Sequence, residues 1–383
     1  MIKGLEIYIS NPFLLALLHA QFVKIIGIEF LIIDEFITLG MSRKISFRND
    51  YSEGAHPAIL QLLMDTNMQQ EPGYGTDHIS ELAKQKIKSY LQNDQADIYF
   101  ISGGTQANLL VISHLLKPYE SVIAADTGHI AVHETGAIEN TGHKVNVVPN
   151  ALGKLTVAAV ESILNTHQDH HMVKPAMVYI SQSTEIGSIY SKKELQDLYA
   201  YCQEKNLKLF IDGARLGVSL TAYKNDLSLA DLSKLCDVFY IGATKNGGLL
   251  GEAIVFNKPD LAIDFPDALK QKGALLAKGR LIGAQFLALF TDEIFFQLAK
   301  RANQLAMRIA DALIQKGYEF ACPPETNQLF PVLPNPVIED LQTHFDFFVW
   351  EKLEGNKAVC RIVTSWATTD EAVEEFLKEL SKN

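Results

Sequence analysis

From residue 95 onward the chain alternates short apolar runs with amphipathic stretches, and that alternation admits few architectures. Residues 96–101, 121–125, 144–148, 176–181, 207–211, 238–241 and 252–256 read as strands. Residues 105–116, 131–140, 156–166 and 191–205 read as helices among them, the last opened by a Ser191/Glu194 capping box. The runs are apolar nearly throughout, as strands covered on both faces must be. Helical crossovers between such strands predict an α/β fold, a seven-stranded mostly parallel sheet flanked by helices. Residues 266–317 read as helical, including a long stretch at 292–316. After Pro323-Pro324 the pattern changes to strands at 329–333, 345–350 and 359–363 and a closing amphipathic helix at 369–382. That predicts a smaller C-terminal α+β domain. The expected division is therefore a large domain at 41–290 and a small one at 291–383, preceded by a hydrophobic extension at 1–40.

The extension departs from the rest of the chain. Residues 7–23 carry no formal charge, a length near the lower limit of a membrane span. Ser10, Asn11, Pro12, His19 and Gln21 interrupt them, and Lys3 is offset by Glu6 where a signal peptide would be basic. Three readings stay open: a span or signal, a hydrophobic arm packed on the body, and an upstream segment before a working start at Met41. The third is favoured. As a whole the 383 residues are 48% apolar and 21% charged, which excludes disorder and coiled coil. The net charge of −11 argues against a nucleic-acid or anionic-membrane surface. Cys202, Cys236, Cys322 and Cys360 form no CxxC pair, so they read as buried small side chains in a cytoplasmic protein.

In an open α/β sheet, ligands gather beyond the carboxyl ends of the strands. The first strand is followed by Gly103-Gly104-Thr105 and a helix, a turn suited to a phosphate. Neither GxGxxG nor GxxxxGK[ST] is present, so dinucleotide and P-loop readings lack their motif. Later strands are followed by Asp126-Thr127-Gly128-His129, then Asp212-Gly213-Ala214-Arg215, then Thr244-Lys245-Asn246, the lysine falling 33 residues after Asp212. Each alone has an ordinary explanation, a helix cap or a solvated charge. Together they supply what pyridoxal 5′-phosphate requires: a phosphate anchor, a ring-stacking partner, a carboxylate for the pyridinium and an amine for the aldehyde. His167, His170 and His171 look like a metal cluster, but a solvated loop is the simpler reading and no metal is expected. His133 and His143 read as structural.

These residues lie in longer motifs: PGYGTD (72–77), GGTQAN (103–108), GHIAVHETGAIENTGHKV (128–145), SQSTEIGSIY (181–190), FIDGARL (210–216), GATKNGG (242–248), KGRLIGAQFLALF (278–290) and RIVTSW (361–366). In these motifs, in this order, the chain resembles the low-specificity L-threonine aldolases of the β-eliminating lyase group. The resemblance implies the PLP-dependent transferase-like fold (fold type I). It likens Lys245 to the Schiff-base lysine, Asp212 to the pyridinium partner, Gly104 and Thr105 to the phosphate cradle, and His129 to the stacked imidazole. Arg215 and Arg361 match the substrate-carboxylate clamp, with Arg215 also counted beside the cofactor. Arg280 matches a basic residue offered to the phosphate, which can come from the neighbouring subunit, and Tyr74 one contributed across a dimer interface. Asn49 stands where some relatives have a serine, and SQSTE (181–185) marks a subfamily.

The implied reaction is retro-aldol cleavage of an L-threonine- or L-allo-threonine-like β-hydroxy-α-amino acid to glycine and an aldehyde. The implied assembly is a homodimer or homotetramer with sites at the interface. The base that takes the β-hydroxyl proton stays open among His129, His171 and water. Two other readings remain: a different reaction with the same cofactor, β-elimination or transamination, and a non-catalytic scaffold.

Overall fold

The computed structural model describes residues 44–382, and the extension at 1–40 lies outside them. The fold and site below belong to the unit Ile45–Asn383. In chain order its strands are β1 (Ile45–Ser46), β2 (Asp97–Ile101), β3 (Glu120–Ala125), β4 (Val145–Val148), β5 (Lys174–Ser181), β6 (Lys208–Asp212), β7 (Val238–Gly242), β8 (Glu252–Phe256), β9 (Gln328–Leu329), β10 (Val332–Pro334), β11 (Phe345–Asp346), β12 (Phe348–Leu353) and β13 (Lys357–Val363).

Seven strands form one sheet in the order β2-β8-β7-β6-β5-β3-β4. From β7 to β4 the pairing is parallel, while β8 runs antiparallel to both β7 and β2. This is the expected mostly parallel sheet. Successive residues feed opposite faces. Val178, Ile180, Leu209, Ile211, Phe239 and Ile241 join one core; Met177, Tyr179, Phe210, Val238 and Tyr240 join the other. Two cores, one per face, are why these strands lack polar alternation. Each large side chain so buried stabilises the fold by about 1.5–3 kcal/mol.

The helices follow the expected pattern with one instructive exception. Lys192–Glu204 opens with the reciprocal Ser191–Glu194 capping box. The helix expected at 131–140 is only His129–Val132, followed by a separate turn at Glu139–Thr141. Thr135 and Gly136 between them have φ of 51° and 75°, a left-handed kink that no α-helix continues through. Asp292 and Glu293, with φ of 51° and 58°, likewise separate Arg280–Phe290 from Ile294–Gln315. Among the described residues no single helix is long and apolar enough to cross a membrane.

A third core lies beyond the sheet. Ile294–Gln315 carries Phe295 into the first sheet core and Leu305, Ile309 and Leu313 into this third one. There they meet Leu329, Ile362, Val373 and Phe376, around strands in the order β10-β13-β12 with β9 also on β13. Phe47 belongs to the same core, and β1 pairs in parallel with β11. The segment after β1 thus leaves the third core heading for the sheet, carrying Asp50.

Candidate active site

Asp212 ends β6 and is 5% exposed. Alternation along β6 puts it on the face of Phe210, shared with Tyr179 of β5 and Tyr240 of β7. Its Oδ2 accepts from the Tyr179 hydroxyl at 2.6 Å and from Asn108 Nδ2 at 3.2 Å, and its Oδ1 from the Ala214 amide at 3.0 Å. Burial would raise its pKa, but the His129 charge and hydrogen bonds from Tyr179, Tyr240 and Ala214 hold it below the ordinary value. Asp212 is therefore a fixed anion. The turn after it depends on Gly213, where a Cβ would overlap the Tyr240 carbonyl.

Lys245 follows β7 in the loop toward β8. Burial and the Arg215 charge lower its pKa, against the pull of Asp50, Asp212 and Glu252. A larger share of its amine is then neutral, as a nucleophile requires. Thr244, beside it, donates its hydroxyl to Glu252 Oε1 at 3.0 Å.

His129 is held from below. Its Nδ1 lies 2.8 Å from Glu134 Oε1, which also accepts from Asn108 Nδ2 at 2.6 Å. Its main-chain N–H donates to Glu185 Oε1 at 2.9 Å, and Ser181 Oγ donates to the same oxygen at 2.6 Å. Burial lowers the imidazole pKa, yet the Glu134 hydrogen bond and the Asp212 and Glu134 charges more than reverse it, so the ring binds its proton more tightly than usual. Asn108 thereby joins the Asp212 and His129 supports into one network.

Arg215 gives Nε and Nη2 to Asp50 Oδ2 and Oδ1 at 2.7 and 2.9 Å, a bidentate pair. Asp50 also accepts from Asn327 Nδ2 at 3.0 Å. Burial would raise Asp50, but Arg215 and Lys245 hold it at about 2. Arg361, on β13, gives Nε and Nη2 to Gln328 Oε1 at 3.3 and 2.8 Å. Arg215 Nη1 takes no part in these bonds, and Arg361 Nη1 reaches the Arg48 carbonyl at 3.5 Å. Burial and the Arg215 charge lower Arg361 to about 10, the signature of two cations held near each other.

Of these groups His129, Asp212, Arg215 and Lys245 line a cleft of about 310 Å³ with Gly103, Gly104, Thr105, Thr244, Glu252, Tyr51 and Ser183, while Asp50 and Arg361 stand outside its lining. The helix Gly104–Leu115 opens onto it without a side-chain cap, so its first amides point at the cleft unclaimed. A Cβ at Gly104 would come within 2.9 Å of the Tyr240 hydroxyl. Ser183 Oγ and Glu252 Oε2 are buried without a partner. Amine, fixed carboxylate, amide cradle and orphaned polar atoms are a donor set that fits pyridoxal phosphate.

A family model described as beta-eliminating lyase matches residues 47–335. The chain belongs to that family. The low-specificity L-threonine aldolase of Pseudomonas aeruginosa is 33% identical over 340 residues, 87% of this chain and 96% of its own. A Pseudomonas sp. protein of the same name is 31% identical over 338 residues. The Leishmania major threonine aldolase structure superposes with a TM-score of 0.87 at 46% identity, covering 88% of this chain and 99% of that one. Thermus thermophilus aspartate aminotransferase superposes with a TM-score of 0.65 at 12% identity, and the chain shares that fold, fold type I of the PLP-transferase-like kind.

Not every expected site residue reaches the cleft. His171 stands 79% exposed beside His170 and Asp169, away from it, because the loop before β5 faces solvent. Arg280 donates Nη1 and Nη2 to the Gln69 and Asn67 carbonyls at 2.6 and 2.9 Å, which ties down the segment after Pro57–Thr66. Tyr74 is half-exposed with Lys270 5.0 Å above its ring. Asn49 Oδ1 accepts from Tyr51 N and Ser52 Oγ, each at 2.9 Å, and so sets the turn that presents Tyr51 rather than lining the cleft. His56 caps Pro57–Thr66, its Nδ1 accepting from the Ala58 amide at 3.3 Å. Sequence reasoning missed Asp50, Tyr179, Glu134, Glu185 and Glu252. The last carried a signal: a carboxylate opening an otherwise apolar strand.

Proposed function

We propose that this protein is a pyridoxal phosphate-dependent aldolase that cleaves L-threonine- or L-allo-threonine-like β-hydroxy-α-amino acids to glycine and an aldehyde. The observation that carries the proposal is the pairing, in one cleft, of a lysine with lowered proton affinity and a carboxylate held anionic. The cofactor, when bound, supplies an aldehyde for an amine and a ring that takes up the electron pair of the breaking bond. Lys245 would hold it at the aldehyde, Asp212 at the ring nitrogen, and Gly104 and Thr105 at the phosphate.

The chain's own groups do the rest. Arg215, which lines the cleft, receives the substrate carboxylate together with its neighbouring cation Arg361, and Asp50 and Gln328 keep the two forks from turning away. Holding the carboxylate fixes which Cα bond can break. His129 is the imidazole lining the cleft among the described residues. With Nδ1–H given to Glu134, its Nε2 faces the reaction and takes the β-hydroxyl proton. Its raised pKa makes cleavage rise with pH as the ring loses its proton.

The test offers L-allo-threonine, L-threonine and L-serine to the purified, cofactor-loaded protein while absorption is recorded. Equal amounts of glycine and acetaldehyde from the first two are expected. Ammonia and a 2-oxo acid as the main products would assign the cleft to elimination, and no product at all would return the protein to a scaffold role.

A further inference from the structure

Glu252 has no part in the chemistry above, yet it is 3% exposed and lines the same cleft. It opens β8 in register with Ile101, the last residue of β2, which leads directly into Ser102-Gly103-Gly104-Thr105. Alternation along β8 places it on the face of Ile254 and Phe256. The carboxyl group therefore sits beside the uncapped end of the helix Gly104–Leu115.

Its two oxygens are unequal. Oε1 accepts from the Thr244 hydroxyl at 3.0 Å, and that hydroxyl in turn accepts from the Gly251 amide at 3.0 Å. Oε2 is enclosed without a partner. If the group were ionised, Oε2 would be a buried charge with no donor. If it is neutral, Oε2–H is a buried donor awaiting an acceptor. Burial favours the second state and pushes Glu252 up to about 8, with Asp212 acting in the same direction and Lys245 and the Thr244 bond against it. Tyr240 of β7 gives its hydroxyl to Asp212 and feels the charge of Glu252 as well. An oxygen anion in the cleft would complete this arrangement.

Building on the cofactor reading above, we propose that protonated Glu252 donates its Oε2–H to a phosphate oxygen of the bound cofactor, as one wall of the cradle formed by Gly104 and Thr105. An O–H donor to an anionic oxygen makes a strong, charge-assisted bond. Once ionised, the same group repels the phosphate. The cradle thus holds the phosphate at neutral pH and releases it in alkali.

Pyridoxine 5′-phosphate tests this, since it carries the phosphate but no aldehyde for Lys245. Its dissociation constant is measured calorimetrically on the cofactor-free full chain between pH 6.5 and 9.5, for wild type and Glu252→Gln. Glutamine keeps an N–H donor at every pH. At pH 6.5 the two should bind within about threefold of each other, and above pH 8 the wild type should weaken relative to Glu252→Gln by about tenfold per pH unit. Because Glu252 also raises Lys245, the pair is compared again in a Lys245→Met background, where no amine titrates and the ratio reports Glu252 alone. A ratio independent of pH overturns the role of Glu252 and leaves the cofactor reading standing. No binding by either protein at any pH removes both. As a second arm, Thr244→Val takes away the bond that lowers Glu252, so the wild-type break should move to higher pH; a break that stays in place rules out Glu252 as its source.

Discussion

Asp212 and Glu252 are two buried carboxylates on one face of one sheet, on the strands either side of β7 and so about 10 Å apart at the backbone. Burial pushes both toward the neutral form, yet one is held below its ordinary pKa and the other rises to about 8. The difference lies in donors. Asp212 accepts from Tyr179, Asn108 and the Ala214 amide and faces His129, whereas Glu252 accepts from Thr244 alone and faces the Asp212 anion. In a low-dielectric site the count of hydrogen bonds to the ionised form decides the charge. One acid is thereby fixed as a charge and its neighbour as a proton donor.

Three changes would break or sharpen that contrast. The largest effect is expected from Lys245→Ala, which removes the cation that lowers Glu252. Aldol cleavage should fall at least about 10³-fold, as for loss of a nucleophile, and the visible cofactor band should vanish. A borohydride-reducible cofactor adduct surviving on the same peptide would reassign the lysine. Next comes Asp212→Asn, which keeps the shape and discards the fixed charge. Cleavage should fall by about 10²–10³. The pKa values of both His129 and Glu252 should drop, because Asp212 raises each of them. NMR titration of the His129 ring that finds no downward shift would contradict the network.

The smallest effect is on stability. Because folding raises the pKa of Glu252 to about 8 from 4.5, the native chain holds a proton that the unfolded chain has released between those pH values. Its contribution to stability therefore falls as pH rises through that window, by about 1 kcal/mol per pH unit. Asp50, lowered to about 2 from 3.8, has the opposite sign: its contribution is present above 3.8 and is lost as pH falls through 2. Urea unfolding of the cofactor-free protein at pH 5.5 and 7.5 should show the Glu252 slope in wild type and its loss in Glu252→Gln; equal slopes would mean Glu252 is ionised throughout.

Much of this was legible in the sequence because strand ends announce themselves. Each apolar run stops where Asp212, Lys245 or the Gly103-Gly104 turn begins, and the sheet carries those stops to one edge. What was not legible are the groups that govern them. Tyr179 hides inside a continuous apolar run, where its hydroxyl looks like one more large core side chain. Asp50 lies 165 residues from Arg215, and local pattern does not announce a pair that distant. His171 misled for the converse reason: its position in the chain suggested the site, but its loop turns to solvent. The kink at Thr135-Gly136 was equally hidden, since a helical pattern on either side masks a left-handed backbone between.

The pairing of β1 with β11 also bears on synthesis. Chains emerge from the ribosome N-terminus first. Ser46 must wait for Asp346, and Asp50 for Asn327, 277 residues later. Until the last quarter of the polypeptide is made, the Asp50 that secures Arg215 lacks part of its anchorage. The sheet and the Lys245 loop can form earlier, but the Asp50 support of Arg215 is completed last. On the proposed function, a truncated or stalled product would hold Lys245 and Asp212 without the secured Arg215, and activity would arrive only with the finished molecule.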